Sequence, residues 1–427
     1  MLFEKIGLID EDFQYRSEMY VGTKDDKIAY IGSQAPEGDY GETYDGQGKV
    51  LMPGFYNGHG HSPMSILRGY GEGLPLDKWL NERIFPFEAK LYGDAIYWAT
   101  LLSMAESVRF GIVSTSDMYY FMDDMARAIA EAGTKSNISR AIVNFGTPVQ
   151  ENVGITETID AIKAYHGSEN GRIRVDACAH AEYTNDFTML QAIAELAREY
   201  GVHNHIHLSE TQNENEGCML RHGMTPAQLF DKAGMFDQPT TAAHCTWLTE
   251  NDREILRSKG VSVACCPASN MKLTSGMCNI VPILEAGINI TIGTDGVASN
   301  NSLNYFEEMK LFALTGKLTS MDPTTMSPAQ VLRSATRAGA LAQGREDCGL
   351  VKEGFKADLI VMDASGPNMW PYEDMPTHLV YSADGKDVCL TMADGKVLYK
   401  DGEYTTLDLE RIYFEAKKAK EEILKML

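Results

Sequence analysis

The sequence has no C-x-x-C pair; its eight cysteines are scattered, and Cys265 and Cys266 are adjacent. That excludes a cysteine zinc site and a disulfide framework, leaving reduced, mostly buried thiols. No uninterrupted apolar run reaches membrane-spanning length, and the opening MLFEKIGLIDEDF has no basic stretch followed by an apolar one, so neither a bilayer span nor a secretory leader is expected. Basic residues are scarce: 38 Lys and Arg stand against 60 Asp and Glu, a formal charge of −22 at neutral pH. Such a surface repels nucleic-acid phosphates and anionic lipids. A small-molecule substrate, a cytoplasmic location and a homo-oligomer are the expectations, with no nucleic-acid or membrane partner.

What is present is an ordinary globular composition, 44% hydrophobic and 23% charged over 427 residues, enough for a large core. The first 50 or so residues read as short strands broken by Gly and Asp turns. From VLMPGFYNGHGH onward, strands and amphipathic helices alternate through GIVSTSD, SRAIVNFG, IRVDACAHAEYT, VHNHIHLSE, TTAAHC, VSVACCPAS and INITIGTDG. Eight strands in that rhythm predict an α/β fold, a (β/α)8 TIM barrel. Helix starts carry local chemistry, with Thr249 and Asp252 spaced as a cap and Pro328 at a first helical position after Ser327. After a helix in AQVLRSATRAGALAQG the pattern returns to short strands and ends in a helix from about Asp408. The expected division is 1–55 and 351–427 for a small β-domain made from both chain ends, and 56–350 for the barrel.

Alternate residues of a strand share a face, so His59 and His61 at the end of the first barrel strand can converge on one ion. His207, His244 and Asp295 each close another predicted strand, and barrel active sites lie at those ends. Three or four nitrogen and oxygen ligands with an open position suit a catalytic zinc; iron, nickel or manganese would accept the same donors. His203 and His205 share strand parity with His207 and are read as packing residues or as supports behind the ligands. Glu210, three residues past His207, lies where a carboxyl can protonate a substrate atom.

PGFYNGHGHSPM, IHLSET, AAHCTW and GTDGVASNNSLN together resemble the amidohydrolase superfamily in its cytosine-deaminase-like branch. LDKWL, PFEAKL, AHAEYT and DGVASNNSLNYFEEM are most similar to its 5′-methylthioadenosine/S-adenosylhomocysteine deaminases. The resemblance spans essentially the whole chain. It implies that the β-domain is a sandwich, that His59, His61, His207 and Asp295 hold one divalent metal, and that no carboxylated lysine takes part. It further implies that His244 hydrogen-bonds the attacking water and that Glu210 shuttles protons. Glu88 would hold ribose hydroxyls, His180 would hydrogen-bond the nucleoside, Trp79 would wall the pocket, and Ser299 would be a further substrate contact. The implied reaction is hydrolytic deamination of an adenine nucleoside to the inosine analogue and ammonia. Guanine, pterin or triazine hydrolysis at the same metal is the alternative, and a non-catalytic scaffold would predict missing ligands.

The chain departs from the pattern in two places. GTPVQENVG offers no cation for the carboxylate of an amino-acid 5′ tail, and Arg140 is expected at the opposite end of the barrel, so a short neutral 5′ group is favoured. Cys265 stands where relatives often carry histidine.

Overall fold

A single glycine, Gly54, separates the strands Lys49–Pro53 and Phe55–Gly60, and the chain changes sheet there. A Cβ at Gly54 would stand 2.5 Å from the Val113 side chain, so the turn presses directly on the second barrel strand. The computed structural model describes residues 1–371 and 373–427. Lys49–Pro53 pairs in parallel with Leu2–Ile9 and antiparallel with Leu359–Asp363, which joins the two chain ends in one nine-stranded sheet. That sheet has a small core of its own, built from Phe3, Ile6, Val21, Leu51, Leu359 and Leu390.

Phe55–Gly60 opens a second sheet of eight parallel strands in chain order. The others are Ile112–Tyr119, Lys135–Arg140, Ile173–Ala179, Asn204–Leu208, Thr240–His244, Ser262–Cys265 and Ile290–Ile292. A bridge between Gly60 and Asp295 brings the last strand back to the first, completing the expected TIM barrel. Helices return the chain between strands, and their ends follow from side-chain chemistry. Thr249 and Asp252 form a reciprocal cap on Glu250–Lys259; Ser327 and Gln330 do the same for Pro328–Ala335. Among the described residues no helix is long and apolar enough to cross a membrane.

Two features differ from the sequence reading. The segment AQVLRSATRAGALAQG is two helices, Pro328–Ala335 and Arg337–Ala342, broken at Thr336. The second packs so closely that a Cβ on Gly339 would lie 2.2 Å from the carbonyl oxygen of Tyr56. The third barrel strand is Lys135–Arg140, earlier than SRAIVNFG suggested, so Arg140 ends the strand and stands at the same mouth as the histidines. Its residues Lys135, Ser136, Asn137 and Ser139 are buried although polar, because they bond across the barrel interior: Asn137 donates to Asp176 and Ser136 to the Thr115 carbonyl.

Lys135 also ties barrel to sheet. Its ammonium, with 3% of the side chain exposed, pairs with Asp358 and lies 2.6 Å from Asp394, while the Tyr56 hydroxyl donates to Asp358. Removing the cation strands the fully buried Asp358 carboxylate without its ion partner, whereas the partly exposed Asp394 keeps Lys356 at 3.8 Å. Lys135→Met should therefore lower stability by about 3–5 kcal/mol, read as an earlier urea midpoint. An unchanged midpoint would show that the cluster does not hold the two units together.

Candidate active site

His59 and His61 close the first barrel strand, His207 lies in the fifth and His244 ends the sixth, while Asp295 follows the eighth. All five side chains therefore meet at one mouth of the barrel. Two of these residues have left-handed backbones, His244 at φ 70° and Asp295 at φ 57°, as does Ser209 beside Glu210 at φ 49°. Such conformations are strained for residues with a Cβ and persist where the surrounding structure fixes them.

Each ring is held through its other nitrogen. His61 Nδ1 donates to the Met118 carbonyl at 2.6 Å and His207 Nδ1 to the His180 carbonyl at 2.7 Å. His244 Nδ1 bonds the Asn270 side-chain oxygen at 2.9 Å, and His59 Nδ1 lies 3.0 Å from His205 Nε2. These bonds turn the Nε2 atoms inward. The ligand atoms of His59, His61 and His207 lie within 4.8 Å of one another, and His59 Nε2 is buried without a hydrogen-bond partner. Burial pulls His59 down to about 3 against the pull of Asp295, and takes His207 well below its ordinary value, so both rings keep a free lone pair. Asp295 Oδ1 sits 3.2 Å from His61 Nε2 and 3.5 Å from His59 Nε2. Although burial opposes the charged form of His61, hydrogen bonding to Asp295 raises it to about 9: the carboxylate draws positive charge to this spot. An orphaned imidazole nitrogen, two neutral donor rings and a buried carboxylate that draws positive charge fit a divalent cation.

Glu210 and Glu88 border the same cavity, with Trp79, His180, Ser299 and Tyr183. Glu210 Oε2 lies 3.9 Å from His244 Nε2 and Oε1 accepts from Ser275 at 3.3 Å. Burial pushes its carboxyl above the ordinary carboxylate range, against the attraction of His244. Burial likewise raises Glu88 to about 7, with Tyr119, His61 and Arg140 pulling the other way. The Ser299 hydroxyl borders the cavity and donates to Asp295 Oδ2 at 3.0 Å.

Several contacts escape a reading of the sequence. Ser269 donates to Asp295 Oδ2 at 2.5 Å from a short helix after the seventh strand, where no pattern marks it. Glu214 takes the backbone N–H groups of Ser209 and Glu210 at 2.9 and 2.7 Å, fixing the strained turn that presents Glu210. Its place one turn into a helix capped by Thr211 was a usable signal. His205 supports His59, and His203 has no place among the cavity residues. Cys265 is a fully buried free thiol and does not line the cavity, so it takes no part in the pocket surface.

Residues 50–398 match the model of the amidohydrolase family. The chain belongs to the amidohydrolase family. It is 42% identical over 381 residues to a 5-methylthioadenosine/S-adenosylhomocysteine deaminase of Dictyoglomus thermophilum, covering 89% of each chain. It is 40% identical over 401 residues to a 5′-deoxyadenosine deaminase of Methanosarcina mazei, covering 94% of this chain and 92% of that one. A solved adenosine deaminase from Xanthomonas campestris with bound zinc superposes with a TM-score of 0.93 at 28% identity, over 99% and 98% of the two chains. The likeness expected from the motifs is borne out, and the amidohydrolase barrel here is that of an enzyme acting on a small molecule.

Within this amidohydrolase site, Ser269 and Ser299 together occupy one oxygen of Asp295 and leave the other facing His59 and His61. Removing both hydroxyls leaves Oδ2 without these bonds, while the Gly296 N–H at 2.7 Å still holds Oδ1, so the carboxylate is less firmly oriented. Ser269→Ala combined with Ser299→Ala should weaken metal retention about 10- to 100-fold, measured by competition with a chelator. Unaltered retention would mean that the two serines do not orient Asp295.

Proposed function

We propose that this amidohydrolase is a metal-dependent hydrolytic deaminase of adenine nucleosides, with 5′-deoxyadenosine, adenosine, 5′-methylthioadenosine and S-adenosylhomocysteine as the substrate class. The observation that carries the reading is the convergence on one cavity of the imidazole cluster with the buried Glu210 and the half-buried Glu88, both carboxyls raised by desolvation. His59, His61, His207 and Asp295 would hold one divalent ion, zinc by preference, and iron, nickel or manganese by the same donor chemistry. When bound, such an ion supplies the positive charge that brings the pKa of a water toward neutrality.

The chain's own groups then divide the proton work. Glu210, whose carboxyl burial pushes above the ordinary carboxylate range, takes one proton of the attacking water and delivers it to purine N1 as C6 is attacked. Asp295 takes a proton from the attacking water and passes it to the leaving amine, so the two protons of water end on N1, through Glu210, and on ammonia. His244 Nε2, turned inward by Asn270, hydrogen-bonds the water and orients it. The ribose hydroxyls donate to Glu88, His180 bonds the nucleoside, and Trp79, 6% exposed, closes one side. Water exclusion is what keeps both carboxyls poised.

Ammonia release from adenosine, 5′-deoxyadenosine, methylthioadenosine, S-adenosylhomocysteine, guanine and cytosine tests the reading. Adenine nucleosides should be turned over and the free bases should not; turnover of guanine alone would replace the proposal. Glu210→Gln should keep the metal and lose about 10²–10⁴-fold in kcat.

Glu88 gives a pH test. Ribose hydroxyls favour its carboxylate, whose free-enzyme pKa is about 7. Nucleoside KM should therefore fall as pH rises through 7 and level off above it. Below that value binding should weaken by up to about tenfold per pH unit. A Glu88→Gln variant whose KM follows pH as the wild type does would exclude Glu88 as the titrating group.

A further inference from the structure

Deamination needs a proton carried from the attacking water to purine N1, and the carboxyl that carries it, Glu210, is held only loosely by its own oxygens. Among the described residues its side chain accepts one hydrogen bond, from Ser275 at 3.3 Å, and His244 Nε2 lies 3.9 Å away. A carrier that must approach two atoms in turn cannot have its oxygens pinned by strong bonds. Its aim therefore has to come from its backbone.

That backbone is fixed by a second carboxylate. Glu214 Oε1 accepts the Ser209 N–H at 2.9 Å and Oε2 accepts the Glu210 N–H at 2.7 Å. On the other side of the turn the Ser209 carbonyl accepts from the Thr246 and Trp247 N–H groups at 3.0 and 3.1 Å, so the left-handed Ser209, at φ 49°, is clamped from two directions. Glu214 is 4% exposed, and its two oxygens each meet one N–H. A glutamine could not do the same, because an amide offers one acceptor and would turn its NH2 toward the second N–H.

The helix start shows that this is not ordinary capping. Glu214 is the third residue of the helix Gln212–His222, capped by Thr211, and at that position a glutamate usually accepts the N–H of the cap residue itself. Three other helix starts obey the reciprocal rule, Thr225 with Gln228, Thr249 with Asp252 and Ser327 with Gln330. At Thr211 only half of the box forms. Thr211 accepts from the Glu214 N–H at 3.1 Å, but the Glu214 carboxylate reaches past the cap to the two residues before it. A local rule kept elsewhere and broken beside the proton carrier marks a task other than holding the helix.

We infer that Glu214 is a positioning residue for the proton transfer: by holding the peptides of Ser209 and Glu210 it sets where the Glu210 carboxyl stands between water and N1. Glu214 is not among the residues that line the metal pocket, so its effect passes through Glu210. The role rests on the nucleoside-deaminase reading above.

The test uses zinc-loaded enzyme and adenosine, and reads the single-turnover rate of ammonia release, KM, bound zinc and the urea midpoint. The variants are Glu214→Gln, Glu214→Asp, Glu210→Gln, and Glu214→Gln combined with Glu210→Gln. Glu214→Gln removes one of the two acceptors and should slow the single-turnover rate about 10- to 100-fold while KM and zinc hold. Glu214→Asp covers the case in which the glutamine variant folds poorly. Its shorter carboxylate can close the box on the Thr211 N–H, as Asp252 does on that of Thr249, so the urea midpoint should hold while the rate falls as it does in Glu214→Gln. In the Glu210→Gln background the second substitution should cost less than about twofold, since the group it aims is gone. Three results overturn the positioning role and leave the deaminase reading standing: a wild-type rate in both Glu214 variants, a rate loss that comes only with lost zinc or an earlier urea midpoint, or the same fold loss with and without Glu210. Wild-type enzyme that releases no ammonia from adenosine removes both.

Discussion

Asp295 holds one oxygen against two serine hydroxyls and turns the other toward the Nε2 atoms of His59 and His61, in a space from which water is largely excluded. A buried carboxylate needs compensating charge, since a lone ion in a low-dielectric interior is strongly disfavoured. Burial keeps His59 and His207 neutral, and only His61, drawn up to about 9 against its own burial by hydrogen bonding to this carboxylate, answers it among the ligand imidazoles. A cation at their focus resolves the conflict. Much of the mouth serves that focus: the carbonyls of Met118 and His180 fix ring tautomers, Asn270 and His205 do the same with side chains, and strained backbone at His244 and Asp295 aims the groups.

The barrel makes such aiming affordable in geometric terms. Parallel strands hold their C-terminal ends at fixed separations, so each donor comes from a rigid element and only its final torsion needs adjustment. The strain is confined to residues just at or beyond strand ends, where Glu214 and the Gly60–Asp295 bridge hold the backbone. Beneath the mouth, Lys135, Asp358 and Asp394 lock the barrel to the sheet built from both chain ends. The interior polar bonds of the third strand are part of the same design, and they are what made that strand hard to read.

Strand parity made His59 and His61 legible as a pair, and the turns after TTAAH and ITIGT made His244 and Asp295 legible as mouth residues. Glu210 followed from its offset past His207. Hydropathy failed where a barrel strand carries KSNISR, because side chains that bond one another inside the barrel look like a loop when read singly. That failure misplaced Arg140. Ser269 was out of reach for another reason: its role comes from a contact between the seventh and eighth strand ends, and nothing local distinguishes a serine one turn into a helix that begins with proline. Arg221 and Glu182 are 39 residues apart, and their pairing exists only once two loops lie side by side.

The cations at the mouth carry this reasoning one step further. In a chain of formal charge −22, a substrate that reaches the barrel mouth meets a predominantly acidic protein. Neutral nucleosides are indifferent to that field, whereas an anionic tail is repelled unless a local positive charge outweighs it. At that mouth Glu157, the Ala141 carbonyl and the Tyr120 ring hold Arg140 by its Nε, its Nη1 and its face and leave Nη2 without a hydrogen-bond partner among the described residues, so the guanidinium stays anchored and still presents a donor.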